Sequence, residues 1–308
     1  MSGTDLDRQG AGITTAPGPA ERHDLDADEA SLPILASLMA RYGDVHAVPS
    51  LTRPSDSLVL HDADQIKRVM LTNRGNYTKG VGLERVRVLL GNGLIVTDGD
   101  VWARQRRMMQ PAFHSRVIRG FAELMHRLNR ELIERWIGNA QRGETINLTN
   151  ELSEVTLAIV LYSIFGVDLD RLIEAEGHNP FELLTRETRR DVPFAVKFRA
   201  LTRHVRAMID ARRREQRVEH DFLSMLMEAR DRDDSEPMSD RALLDEVMTL
   251  IVAGHETTAG TLNWAWYLLS QHPQVETQLH AAVDAMPALT EAAPEAPVRA
   301  PFVEQVLN

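Results

Sequence analysis

The chain has 308 residues, of which 43% are hydrophobic, and its formal net charge is −10. This acidic charge argues against nucleic acid as a principal partner, because phosphate binding needs a clustered basic surface. None of the residues is cysteine, so disulfides and thiolate chemistry are excluded within these 308 residues. The apolar content is ample for a sizeable core and predicts a globular protein.

The N-terminal part of the sequence changes character near residue 30. Residues 1–30 are polar, acidic and rich in Gly and Pro, which predicts a disordered tail before a single domain over 31–308. The amphipathic segment Leu32–Tyr42 predicts a helix. Two short stretches rich in β-branched residues follow, Asp44–Val48 and Ser57–Leu60, with prolines between them. They predict a small hairpin.

Membrane signals are weak throughout the sequence. No run of 18 or more apolar residues occurs, and residues 1–30 contain no apolar stretch of signal-peptide type. We therefore expect a cytoplasmic protein without a transmembrane segment.

Helical periodicity resumes at Asp64–Leu71 and dominates from about residue 98 onward. The longest predicted helix covers 239–271 and would be about 50 Å long at 1.5 Å per residue. Ser239 is its expected N-cap, and Pro273 ends it because the residue before proline avoids the helical conformation. The other predicted helices cover roughly 100–110, 116–140, 149–165, 181–190, 194–217, 221–230 and 273–285.

The middle of the long helix carries the segment Ala-Gly-His-Glu-Thr-Thr, residues 253–258. Gly254 costs about 1 kcal/mol relative to alanine in a helix interior. Small side chains at Ala253 and Gly254 would let a flat or bulky group approach the backbone, or would let another helix cross closely. If Thr257 donates to the carbonyl of Ala253, a water can lie beside a hydroxyl and the Glu256 carboxylate, as proton delivery requires. The alternative places Glu256 simply at the surface.

A zinc site at this segment is excluded by spacing. The helical zinc motif needs a second histidine four residues after His255, and that position is Ala259.

A second motif lies near the start of the helical region. Trp102 and Arg106 are four residues apart and share one helical face, where an indole N–H and a guanidinium suit a carboxylate attached to an apolar ring system. Arg104, Arg107 and Arg116 add positive charge nearby. The alternative is an amphipathic helix anchored by its tryptophan, with the arginines in solvent.

These motifs occur together in one known family. Trp102-x-x-x-Arg106, then Pro111-Ala-Phe-His, then Ala253-Gly-x-Glu-Thr-Thr on a long helix resembles the cytochrome P-450 haem-thiolate monooxygenases of the bacterial soluble type. The resemblance implies a mainly α fold with a small N-terminal β part, and haem b (iron protoporphyrin IX) as cofactor. It also implies that Trp102 and Arg106 bind the haem propionates, that Ala253 and Gly254 lie over the distal haem face, and that Thr257 and Glu256 deliver protons to bound dioxygen.

The sequence departs from the family pattern after the long helix. The family's Glu-x-x-Arg helix, called the K helix, and the loop that carries its axial cysteine are missing, so no metal ligand is assigned. The segment Pro301–Asn308 resembles the start of the K helix, which predicts a C-terminally truncated family member. We expect this chain to be inactive by itself, because the thiolate ligand promotes O–O cleavage. The alternative is a non-catalytic helical module for ligand binding or regulation.

The family reads its substrate with two variable segments, here Thr78–Leu94 and Phe181–Arg203. Both are rich in apolar residues, which predicts an apolar small molecule such as a lipid, terpenoid or polyketide. The resemblance also implies dioxygen and a ferredoxin or flavodoxin-type redox partner. Arg104, Arg107 and Arg116 are expected to form a positive docking face for this acidic partner.

Overall fold

A computed structural model describes residues 16–25, 30–53, 55–80, 82–186 and 192–285. The chain divides into two compact units, Met1–Thr78 and Lys79–Asn308. Residues 1–15 of the predicted tail and the segment Pro301–Asn308 lie outside the described residues.

The first unit contains the predicted helix and hairpin. Helix α1 covers Ser31–Tyr42, strand β1 covers Val45–Val48, and strand β2 covers Ser57–Leu60. The two strands are antiparallel, with Val45 opposite Leu60. Helix α2, Ala63–Lys67, follows and runs into a π-helical turn. The hairpin prediction is confirmed. The hairpin could be predicted because its β-branched residues and intervening prolines are local signals.

Part of the predicted tail is ordered by the hairpin. The backbone N–H of Ala47 donates to the carbonyl of Pro17 at 2.9 Å, and that of His23 donates to Pro49 at 2.8 Å. A side chain at Gly18 would come within 2.0 Å of the Ala47 carbonyl oxygen. The prediction of disorder was therefore wrong for residues 16–25. The exposed edge of a strand offers unpaired backbone groups to any segment that can reach it, whatever that segment's composition.

The second unit is helical in its described residues. Two of its helices, at 83–90 and 167–176, were not predicted, and the predicted helix 116–140 is divided in two near Gly120. The helices are α3 (Leu83–Leu90), α4 (Gly99–Met109), α5 (Ser115–Arg119), α6 (Ala122–Gln141), α7 (Leu148–Phe165), α8 (Val167–Glu176), α9 (Leu183–Arg186), α10 (Val192–Glu215), α11 (Phe222–Glu228), α12 (Asp240–Gln271) and α13 (Pro273–Asp284).

Helix α12 is the predicted long helix. It is continuous from Asp240 to Gln271, and the Ser239 hydroxyl accepts a hydrogen bond from the Ala242 N–H at 3.2 Å. Its first half is buried against the core as far as Ala259, whereas aromatic residues of its second half are exposed. The capping residue and the following proline fixed both ends locally.

Helix α7 packs along α12 and contributes Leu161 and Phe165 to the core. Among the described residues, α7 is also the one helix long and apolar enough to cross a membrane by length and composition. Its burial against α12 and α6 is the behaviour of a core helix.

A buried guanidinium joins three helices of this unit. Arg212 on α10 contacts Asp168 on α8 at 2.5 Å and both oxygens of Asp221, the N-cap of α11, at 2.7 Å. It also donates to the backbone carbonyl of Phe165 at 2.7 Å. Burial tends to raise the pKa of Asp168, but hydrogen bonds from Arg212 and Arg217 outweigh it and hold that pKa below its usual range. Each charge therefore has a partner, as burial requires.

Candidate functional site

A cavity of about 570 Å³ opens beside the middle of α12. Its volume lies within the range of about 300–1,000 Å³ typical of small-molecule pockets. Apolar and aromatic side chains dominate the wall, and three hydroxyls interrupt it. The lining residues are Phe113, Ile118, Phe121, Met125, Thr156, Ile159, Val160, Ser163, Ile164, Phe222, Leu250, Ala253, Gly254 and Thr258.

Gly254 lies where α7 crosses α12. A Cβ at this position would stand 2.9 Å from Cγ2 of Val160, closer than real side chains approach. The close-crossing interpretation of this glycine is therefore correct, and Ala253 and Gly254 also line the cavity. By contrast, a Cβ at Gly260 on the same helix would meet nothing within 4 Å.

The hydroxyl of Thr257 donates to the carbonyl of Ala253 at 2.8 Å, as its position in the helix predicts. The next hydroxyl, on Thr258, donates to the carbonyl of Gly254 at 3.1 Å. The helix remains α-helical through this region. Glu256 and Thr257 are both exposed and do not line the cavity.

His255 points into the protein, where it is 1% exposed. Its Nδ1 lies 2.8 Å from the Ile251 carbonyl, which can only accept, so Nδ1 carries the proton. No group of three potential metal ligands occurs among the residues that the structure describes.

Trp102 and Arg106 meet on α4, as their spacing predicts. The guanidinium carbon of Arg106 lies 5.4 Å from the centre of the Trp102 ring. Trp102 is half-buried and Arg106 is exposed. Neither residue lines the cavity. The structure therefore brings Trp102 and Arg106 together on α4 but does not place them on the cavity wall that Ala253 and Gly254 help to form. From this part of the chain it is Phe113, just beyond α4, that reaches the cavity.

The predicted positive docking face is wrong for two of its arginines. Arg104 Nε lies 3.0 Å from Asp231, and Arg107 Nη2 lies 2.9 Å from Asp233. Arg104 also contacts Asp234 at 3.2 Å. The acidic segment between α11 and α12 folds back over α4 and neutralises these charges, and sequence periodicity cannot show a partner more than 120 residues away.

Most of the large apolar residues of the predicted substrate segment Phe181–Arg203 lie in the core, although Val192 and Val196 are exposed. Phe181, Leu184, Phe194 and Phe198 are at most 4% exposed, and none lines the cavity. Sequence reasoning instead missed the α7 hydroxyls in the wall. It also missed the carboxyl group of Glu246 on α12, whose pKa burial raises to about 7 against the opposing hydrogen bond from the Leu94 N–H.

Comparison with known proteins identifies the source of these motifs. The sequence profile described as "Cytochrome P450" matches residues 25–181 and 178–295. Cyclooctatin synthase of Streptomyces melanosporofaciens is 33% identical over 290 residues, which cover 88% of this chain and 62% of that protein. Pentalenene oxygenase of Streptomyces avermitilis is 28% identical, with the same two coverages. The chain thus spans about three-fifths of the length of these relatives.

Solved structures show the same fold. The haem domain of cytochrome P450DA superposes with a TM-score of 0.73 at 21% identity and covers 95% of this chain and 68% of that one. The retinoic acid-bound cyanobacterial CYP120A1 superposes with a TM-score of 0.68 at 19% identity, over 91% and 64% of the two chains. The mainly α prediction with a small N-terminal β part is confirmed.

Proposed function

Because the chain belongs to the cytochrome P450 family, we propose that it forms the part of a haem-dependent monooxygenase that covers the distal face of haem b. Family membership carries this proposal. The supporting observation in the structure is the cavity against Ala253 and Gly254. When bound, haem supplies the iron at which dioxygen is activated.

The residues present suit both the apolar ring system of haem and its acidic propionates. Ala253 and Gly254 have little or no side chain and so leave room in the cavity beside α12, and Phe113 provides an aromatic wall. Trp102 and Arg106 offer an indole N–H and a guanidinium from one face of α4, the donors that propionates require. The axial ligand does not come from these residues, because none of them is cysteine.

Thr257 and Glu256 would handle protons. The hydrogen of the Thr257 hydroxyl is held by the Ala253 carbonyl, so the lone pairs of its oxygen remain available to a donor. Glu256, the preceding residue, is exposed to solvent and can exchange protons with it. Thr257 is thus assigned to orient a water or ligand donor, and Glu256 to supply its protons.

The substrate we propose is an apolar small molecule of the lipid, terpenoid or polyketide type. Two relatives support it by name, pentalenene oxygenase and cyclooctat-9-en-7-ol 5-monooxygenase. Electrons would come from a ferredoxin or flavodoxin-type partner, which docks elsewhere than on the neutralised Arg104 and Arg107. A cytoplasmic location completes the proposal and agrees with the packing of α7 in the core.

Haem titration of the protein, followed by the Soret band and by tryptophan quenching, tests the cavity. Ala253→Leu should weaken haem binding at least about fivefold, since one or more methylene groups too many in a tight site cost about 1–3 kcal/mol. Ala265→Leu makes the same change on the same helix, away from the cavity lining, and should leave the affinity unchanged. Equal affinities for both variants would exclude the cavity as the haem site.

The same preparation tests activity. We propose that the 308 residues alone do not support monooxygenation, because they supply no thiolate. The reduced carbon monoxide difference spectrum should lack a thiolate-type band. Such a band, or turnover of an apolar substrate, would contradict this part of the proposal. Haem binding without such a band or turnover is also what the alternative, a non-catalytic binding module, predicts.

A further inference from the structure

The turn between α3 and α4 rests directly on α12. The N–H of Asn92 donates to the Asp245 carboxylate at 2.8 Å, and the N–H of Leu94 donates to the Glu246 carboxylate at 3.0 Å. Asp245 and Glu246 are 6% and 0% exposed. Two neighbouring carboxyl groups of one helix therefore bind two backbone amides of a turn that lies more than 150 residues away in sequence.

The turn is shaped to allow this contact. A Cβ at Gly91 would come within 2.2 Å of the Asp245 carboxylate, and Gly91 has a φ of +67°. A Cβ at Gly93 would come within 2.0 Å of the Thr249 hydroxyl oxygen. Only glycine lets the backbone approach so closely, so the turn and α12 form a fitted pair.

The other side of the same turn is bound to α4. The buried Gln105 on α4 donates from Nε2 to the Asn92 carbonyl at 2.9 Å and accepts from the Thr97 hydroxyl at 2.8 Å. Lys79 donates to the carbonyls of Leu94 and Thr97, both at 2.7 Å. A continuous chain of hydrogen bonds thus runs from α12 through the turn to α4. Gln105 lies between Trp102 and Arg106 in the sequence of α4.

We propose that Asp245 and Glu246 are positioning residues that hold the turn between α3 and α4 on α12 and so set the placement of α4 against α12. This placement also orients Trp102 and Arg106 of α4 toward the haem propionates, a consequence that rests on the proposed function. The contact itself does not depend on haem, since protein atoms alone form it.

The environment of Glu246 makes this contact titratable. Its second oxygen, Oε1, and the Thr249 hydroxyl oxygen are buried and have no hydrogen-bond partner among the described residues. The charged groups that act on Glu246 are Asp245, next to it on α12, and Lys79, from beside the turn. Burial raises the pKa of Glu246 to about 7, so opening of the turn, which exposes the carboxyl group to water, becomes easier as the pH rises toward 7.

Amide hydrogen exchange of the full chain, read by mass spectrometry without haem, tests the proposal. In Glu246→Ala the peptide covering residues 91–97 should exchange at least about tenfold faster than in the wild type, because the Leu94 N–H loses its acceptor. Glu246→Gln keeps an acceptor oxygen and should restore protection. Glu131→Ala, an exposed glutamate on α6, is the matched control and should not change this peptide.

The pH dependence separates positioning from simple stability. After correction for intrinsic rates, wild-type exchange in the turn should rise by up to about tenfold per pH unit between pH 5 and 7 and then level off, and Glu246→Gln should remove this rise. Unchanged exchange in Glu246→Ala, or a Glu246→Gln variant as fast as Glu246→Ala, would overturn the proposal. Failure of the haem titration with these exchange results intact would overturn the proposed function alone.

Discussion

Replacing glycine by alanine at two positions of α12 measures how tightly α7 packs at the candidate site. Gly254 and Gly260 lie on the same helix, six residues apart. The added methyl group would stand 2.9 Å from Val160 Cγ2 at Gly254 and would meet nothing within 4 Å at Gly260. The two substitutions therefore share a backbone effect and differ in packing.

The expected energies follow from these distances. Alanine gains about 1 kcal/mol over glycine in a helix interior, so Gly260→Ala should stabilise the protein by about 0.5–1 kcal/mol. At Gly254 the same gain is opposed by a contact well inside the optimum of about 3.5–4.0 Å between carbon atoms. Overpacking of this kind costs about 1–3 kcal/mol. Gly254→Ala should therefore be less stable than Gly260→Ala by about 1–3 kcal/mol.

Urea unfolding followed by far-ultraviolet circular dichroism gives the two free energies of unfolding. Adding Val160→Ala to Gly254→Ala should recover most of the packing cost, a coupling that a double-mutant cycle isolates. The same Val160→Ala change combined with Gly260→Ala should show no coupling. Equal stabilisation by both glycine substitutions would refute the close crossing of α7 and α12 at Gly254.

Three further predictions concern charge, pH and surface. Arg212→Ala should cost about 3–5 kcal/mol in urea unfolding, because Asp168 and Asp221 lose their shared buried partner. The neighbouring Arg213→Ala, which removes an exposed pair, should cost at most about 1 kcal/mol, and similar costs would contradict the buried network. Since burial raises the folded-state pKa of Glu246 to about 7 from its ordinary value of 4.5, its contribution to the free energy of unfolding should be complete below pH 4.5 and fall by up to about 3 kcal/mol as pH rises to 7. Glu246→Gln should remove that fall, and a variant that keeps the wild-type pH profile would contradict the assignment of the fall to Glu246. Leu268→Glu should reduce concentration-dependent light scattering, because it places a charge among exposed apolar side chains of α12, and undiminished scattering would show that another surface associates.

Local features of the fold could be predicted from the sequence. The two ends of α12 and the hydrogen bond from Thr257 to Ala253 depend on residues at most a few positions apart, and the hairpin joins two neighbouring segments of the chain. The shared face of Trp102 and Arg106 is also local. Helical and strand periodicity fix such neighbours before any tertiary contact forms. The family motifs are local in the same sense, which is why they were readable.

The sequence by itself therefore determined most of the helices, the hairpin and the family, whereas the tertiary structure decided which distant residues meet. Acidic residues near 231–234 neutralise Arg104 and Arg107, Val160 closes on Gly254, and Asp245 and Glu246 bind a turn more than 150 residues away. Each of these contacts depends on how helices pack, and packing depends on the shape and charge of whole faces. Periodicity tells which face of a helix is buried, but it does not name the residue on the other side.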